Sequence, residues 1–226
     1  MRKLPQLIVL AFAILGCTPG SKQSENENKP VEFNQTLADE LAKMVETDQI
    51  AASIPQGSYK AWSREKWNSF KDSVFTTHKK RIEEIFDEYG YPGYDRVGEK
   101  GETHFWLMVQ HSDSFPDFQA QVLEKLKIEV DRKNADGKNF GLLTDRVKLN
   151  TGNQQIYGTQ VTYNKLGQAY PRNLADSANV NQRRAEVGLP PLEEYLNMMT
   201  EMHFKMNEEY LKSIEITEPK LYKVSK

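Results

Sequence analysis

SREKWNSFKDSVFTTHKKRIEEIFDEYG, residues 63–90, decides the class of fold. Ser63 is a helix-starting residue, although Lys66 stands where a full capping box would carry Glu. Trp67, Phe70, Val74, Ile82, Ile85, Phe86 and Tyr89 then fall on one helix face, and Gly90 ends the run. A stripe of this length within a charged background predicts a long amphipathic helix packed against others.

The flanking segments read the same way. Leu37, Leu41, Met44 and Val45 predict a helix over 33–52, broken by Ile54-Pro55-Gln56-Gly57. The aromatic turn Gly90-Tyr91-Pro92-Gly93-Tyr94 leads to a third helix over 102–112. Ser114 and Asp117 form a start signal for a fourth helix, with Phe118, Val122, Leu123, Leu126, Ile128 and Val130 as its stripe. A short fifth helix is expected over 140–149. The period then changes to two: residues 156–163 predict a strand, 164–167 a turn and 168–171 a short partner strand. Asp176 or Ser177 caps a helix that ends at Gly188, before Pro190-Pro191. A last helix over 192–214 places Leu196, Met199, Met202, Met206 and Leu211 on its inner side. The expected fold is therefore mainly α, a single helical domain over 31–226 with one small β-hairpin.

The start of the chain carries a separate message. Arg2 and Lys3 precede an apolar run over 4–15, broken only by Pro5 and Gln6, and Gly16 precedes Cys17. These are the parts of an export signal. The run is shorter than the ~20 apolar residues of a membrane-spanning helix. The order Ile14-Leu15-Gly16-Cys17 resembles the lipobox of bacterial lipoproteins, which implies cleavage after residue 16 and acylation of Cys17. Cys17 is the one cysteine of the chain and has no disulfide partner within it. Residues 17–30 have the Ser, Asn, Glu, Lys, Gly and Pro content of a flexible tether. The expectation is a palmitate-type lipid anchor at a bacterial envelope, at the outer membrane, with Thr18 in place of the aspartate that retains some lipoproteins at the inner membrane.

Loss of residues 1–16 removes two basic residues and no acid, taking the formal net charge from −2 to −4. No basic cluster has the extent of a nucleic-acid footprint. The words WLMVQHSD (106–113), LTDRV (143–147), QIYGTQ (155–160), VNQRR (180–184) and GLPPLEEY (188–195) come next. Together they resemble a bacterial domain family of unknown function, over roughly 90–196. The resemblance implies a family and no activity.

Those words also carry the candidate site. His111 is the general acid or base, since imidazole alone titrates near neutral pH without tuning. Asp113 or Asp145 would orient it, with Arg146 as a fixed neighbouring cation. Arg183 and Arg184 could clamp a carboxylate or phosphate. Tyr157 and Gln160 would bind ligand beside Gly158, where the missing side chain admits a close approach. Each has a plainer reading: His111 and Asp113 as helix-end groups, Asp145 and Arg183 as a structural ion pair, Arg184 as a solvated helix residue, Gly158 as a bulge. No G-x-S-x-G elbow, phosphate-binding loop or H-E-x-x-H is present. His104 and His111 stand roughly 10.5 Å apart along a helix, so no spacing asks for a metal and no cofactor is called for. The expected partners are the membrane, through Cys17, and a small anionic or polar ligand; no nucleic acid is expected. The alternative is a non-catalytic module that meets an envelope protein through Tyr91, Tyr94 and the Met-rich last helix.

Overall fold

A computed structural model describes residues 31–224; Cys17, the signal and the tether lie outside the described residues. α1 (Gln35–Ala52) starts where the Asn34 side chain accepts a hydrogen bond from the Leu37 amide at 3.0 Å. A 3-10 turn follows, and α2 (Arg64–Tyr89) begins at Ser63, whose hydroxyl accepts from the Lys66 amide at 3.2 Å. Gly90 closes α2 at φ 70°, a left-handed backbone that favours glycine.

α3 (Tyr94–Gln110) is longer than expected and bends at Gly98, where φ is 70°. Its early start is held by Asn134, whose backbone and side-chain oxygens accept from the amides of Tyr94 and Asp95. The sequence hid this start because the anchoring residue is about forty positions away. α4 (Pro116–Asp131) takes Pro116 in its first turn, and the residue before the helix, Phe115, makes no side-chain cap. The expected Ser114 start signal is thus replaced by proline, whose missing N–H and fixed φ suit that position. α5 (Gly137–Asn150) is capped by Asp136, which accepts from the Lys138 amide at 2.9 Å.

β1 (Val161–Tyr163) and β2 (Ala169–Pro171) form an antiparallel hairpin with Thr162 opposite Tyr170. The Asn164 side chain accepts from the amides of Leu166 and Gln168 and so builds the turn. β1 is shorter than the expected strand because the amides of Ile156, Tyr157 and Thr159 donate to Asp145 and that of Gln160 to the Gln155 side chain. A 3-10 turn leads into α6 (Val180–Glu186). The last helix is two: α7 (Leu192–Met206) stops at Asn207 and α8 (Glu208–Ser213) follows. Among the described residues the fold is eight α-helices and one hairpin, and no described helix is long and apolar enough to cross a membrane.

Two apolar clusters organise these elements. The larger joins Leu37 and Leu41 of α1, Ile82 and Ile85 of α2, Phe105, Met108 and Val109 of α3, Val122 and Leu126 of α4, and Leu143 of α5. The smaller joins Ala169, Val180, Leu192 and Leu196, with Tyr163, Tyr195 and Met199 packed against them. Some expected core positions lie outside both. Ile128, Met202 and Met206 are exposed. Tyr91, by contrast, is buried in the larger cluster with its hydroxyl donating to Glu102. Burial pushes the Glu102 carboxyl above its ordinary range, against the pull of Tyr91 and Asn139.

Candidate functional site

The end of α3 carries Trp106, Leu107, Gln110 and His111 toward the seam between the two clusters. Facing them are Leu142 and Arg146 from α5, residues 159–161, Tyr163, and Tyr195 and Met199 from α7. These residues line an open cleft of about 420 Å³. That volume suits a small molecule.

His111 is the titratable group of this lining with a built environment. Its Nδ1 lies 2.6 Å from Oδ2 of Asp48, a carboxylate of α1 that is 0% exposed. A carboxylate at that distance fixes the proton on Nδ1 and leaves Nε2 of the neutral ring as an acceptor. Nε2 has no hydrogen-bond partner among the described residues. The Phe75 ring, 5.4 Å away, packs against the imidazole. On the other side of Asp48, Nδ1 of His78 in α2 stands 3.8 Å from Oδ1. Burial pushes the Asp48 carboxyl up, but the hydrogen bond from His111 and the nearby His78 outweigh it, so the group titrates below its ordinary value. Asp48 follows Leu37 and Leu41 on the buried face of α1. An acid within an apolar stripe was the signal that could have found it.

The other candidates separate into two groups. Arg146 and Gln160 line the cleft with His111. Asp113 is half-exposed and does not reach the imidazole. It accepts from Arg146 at 2.7 Å and Asn150 at 3.0 Å, and these hold its carboxyl below the ordinary range despite burial.

Asp145, Tyr157, Arg183 and Arg184 are not among the lining residues. Asp145 is fully buried, and its two oxygens accept from the amides of Ile156, Tyr157 and Thr159 and from the Thr159 hydroxyl, at 2.7–3.0 Å. With four donors satisfied it is a fixed anion that shapes the 156–160 loop. The expected ion pair with Arg183 is absent: Arg183 donates to Ile156 O, Ala175 O and Asp176 O, and pairs with the Asp176 carboxylate at 2.9 Å. Arg184, a candidate clamp whose plainer reading was a solvated helix residue, is 0% exposed. It donates to Pro190 O and Tyr157 O and lies 4.9 Å from the centre of the Tyr195 ring. Gly158 adopts φ 72°, and a Cβ there would come within 2.9 Å of Leu192. Its role is close packing in a left-handed turn.

Chemically, the cleft offers an imidazole backed by a buried carboxylate, one guanidinium and two amides. Two of its three hydroxyls are engaged: Thr159 donates to Asp145 and Tyr195 donates to Thr159 O at 2.7 Å, while the third belongs to Tyr163, whose ring stacks on His203. Among the described residues no group of three His, Cys, Asp or Glu is placed to hold a metal ion.

The model of a family of unknown function, DUF6624, matches residues 35–206. The chain belongs to this family. The match runs from the first residue of α1 to the last of α7, so the DUF6624 unit is wider than the 90–196 span of shared words and includes Asp48 and His78. No curated protein and no solved structure matches the chain.

Two substitutions test this division of roles in DUF6624. Asp145→Asn turns an all-acceptor group into one with an amide facing existing donors. Its expected cost is roughly 2–4 kcal/mol, read as a melting temperature lower by on the order of 5–15 °C. Asp48→Asn probes the imidazole's support. A depressed carboxyl contributes stability above its unfolded pKa and loses it as pH falls through the folded value. The melting gap between wild type and Asp48→Asn should therefore be wide at pH 7 and shrink below about pH 4; a gap constant across that range would contradict the assignment.

Proposed function

We propose that the protein is a lipid-anchored envelope protein whose cleft binds a small polar or anionic ligand, with His111 as the proton-transfer group. The observation that carries the catalytic part is the 2.6 Å contact between Nδ1 of His111 and the buried Asp48, on a ring that lines the cleft. An imidazole so oriented takes a proton on Nε2, and the carboxylate stabilises the imidazolium that forms. Arg146 would face the ligand's negative or carbonyl oxygen, and Gln110 and Gln160 would add neutral hydrogen bonds. With the Thr159 and Tyr195 hydroxyls engaged and burial pushing the Tyr163 phenol above its ordinary range, water or a group of the ligand would be the nucleophile. The envelope part rests on the Ile14-Leu15-Gly16-Cys17 order and the polar tether after it. Two or more acyl chains would hold the protein firmly at a membrane, where one chain would not.

A second reading has one observation of its own. Met198, Met202 and Met206 of α7, Tyr210 of α8 and Ile214 just after it are all exposed and recur every four residues. Such a stripe suits an envelope protein partner. Tyr91 is buried and takes no part in that surface.

Anchoring is tested by radiolabelled palmitate: the wild-type protein should take up label and sediment with membranes, and Cys17→Ala should do neither. Unlabelled wild-type protein would remove the anchor from the proposal. The cleft is tested by a melting screen of the full chain against small polar metabolites. A ligand at about 100 times its Kd adds about 2.7 kcal/mol, or roughly 5–10 °C here. Hits should lose most of that shift in His111→Gln. If every hit shifts the variant as much as the wild type, ligands bind elsewhere.

A further inference from the structure

The charges around the cleft narrow the class of ligand, if the cleft is the binding site just proposed. Arg146 is the one permanent cation among the lining residues, and no lysine accompanies it. It is already shared: Nη1 donates to Asp113 at 2.7 Å. The other cation available to the cleft, protonated His111, stands against Asp48. Each cation is thus already paired with a carboxylate, Arg146 with the half-exposed Asp113 and His111 with the buried Asp48. A phosphate or sulfate dianion would meet that negative pair without enough compensating charge. A single negative charge can be balanced by the free edge of the guanidinium, which keeps donors beyond the one given to Asp113.

The neutral groups add shape. Gln110 precedes His111 on α3, is 5% exposed and lines the cleft. Its amide makes no side-chain hydrogen bond to the described residues, and its Oε1 is covered without a donor. Nε of Arg146 is also covered and unpartnered. Buried polar groups are normally satisfied, and one left unmet is costly. The N–H groups of the Gln110 amide, beside a guanidinium, match the two oxygens of a planar carboxylate, whereas its covered Oε1 is an acceptor and asks for an N–H or O–H instead. Nε2 of His111, an acceptor in the neutral ring, asks for an N–H or O–H on the same ligand. Trp106, Leu107, Leu142, Val161 and Met199 complete the wall with apolar surface.

We infer that the cleft takes a monocarboxylate with an apolar body and a hydrogen-bond donor next to the carboxyl group, the chemistry of an N-acyl amino acid or of the C-terminal residue of a peptide. The carboxylate sits on Arg146 and Gln110, the neighbouring N–H faces His111, and the apolar side chain covers Trp106 and Leu142.

Calorimetric titration of the full chain with N-acetyl-leucine, N-acetyl-leucinamide and phenyl phosphate tests this. N-acetyl-leucine should bind, the uncharged amide about tenfold or more weaker, and phenyl phosphate weaker still. Arg146→Gln should cost the carboxylate about tenfold. Asp113→Asn, which removes the competing acid, should bind it more tightly. A merely structural Arg146–Asp113 pair would instead make both variants melt lower with no opposite effect on affinity. Equal binding of the amide, or tighter binding of phenyl phosphate that Arg146→Gln abolishes, overturns the carboxylate assignment and leaves the cleft standing. Silence from all three probes also overturns it, and the cleft itself is then judged by the His111→Gln screen.

Discussion

Asp145 is the charge around which the non-helical part of the protein is arranged. A carboxylate removed from water must be compensated at every lone pair, or it carries a penalty of several kcal/mol. Here three amides and a hydroxyl from residues 156–159 supply that compensation. Because those amides point at α5, they cannot also serve a β-ladder, and the chain stays irregular until Val161. The loop's carbonyls are held from the opposite side: Arg183 takes Ile156 O and Arg184 takes Tyr157 O. One buried anion and two arginines from α6 thus fix a short loop from both faces. That loop sets Thr159 and Gln160 in the wall of the cleft.

The arrangement separates two kinds of polar group that look alike in a sequence. Asp145 and Arg183 are engaged by the protein's own groups, and Arg184 gives Nε and Nη1 to backbone carbonyls while its buried Nη2 has no partner among the described residues. His111, Gln110 and Arg146 retain unsatisfied capacity on the side of the cleft. Asp48 is intermediate: it lies in the core, yet its partner is a ring that meets solvent. The seam between the large helical cluster and the smaller one around the hairpin is where the second kind collects.

Much of the fold was legible. The period of three and four along 63–90, the Ser63 and Gly90 ends and the change of period after residue 155 are local signals, and local physics settled them. What was not legible depended on distant partners. α3 starts early because Asn134 supplies acceptors from across the chain. The strand over 156–163 shortens because Asp145 takes its amides. The helix over 192–214 breaks at Asn207, whose side chain turns back to His203 O, and of its expected inward methionines Met199 packs inward while Met202 and Met206 are exposed. Within the site, His111, Arg146 and Gln160 were visible as residues, but their companions were not. Arg184 could be read as a ligand clamp or as a solvated helix residue, and neither reading finds the carbonyls of Tyr157 and Pro190 that hold it in the interior. Asp48 went unnoticed because the shared words began near residue 90. Its position in the stripe of Leu37 and Leu41 was readable, and a charge on a core-facing helix position asks for a partner.

That place for Asp48 bears on how the protein can be divided. A fragment beginning near residue 90 would keep every word by which the sequence is recognised. It would also leave Phe105, Met108 and Val109 bare, since α1 and α2 cover them. Its imidazole would be present but free to rotate and to change tautomer, an ordinary surface histidine. The smallest piece worth transplanting, shuffling or aligning therefore starts at Asn34, and the two leading helices are as much part of the working unit as the residues that line its opening.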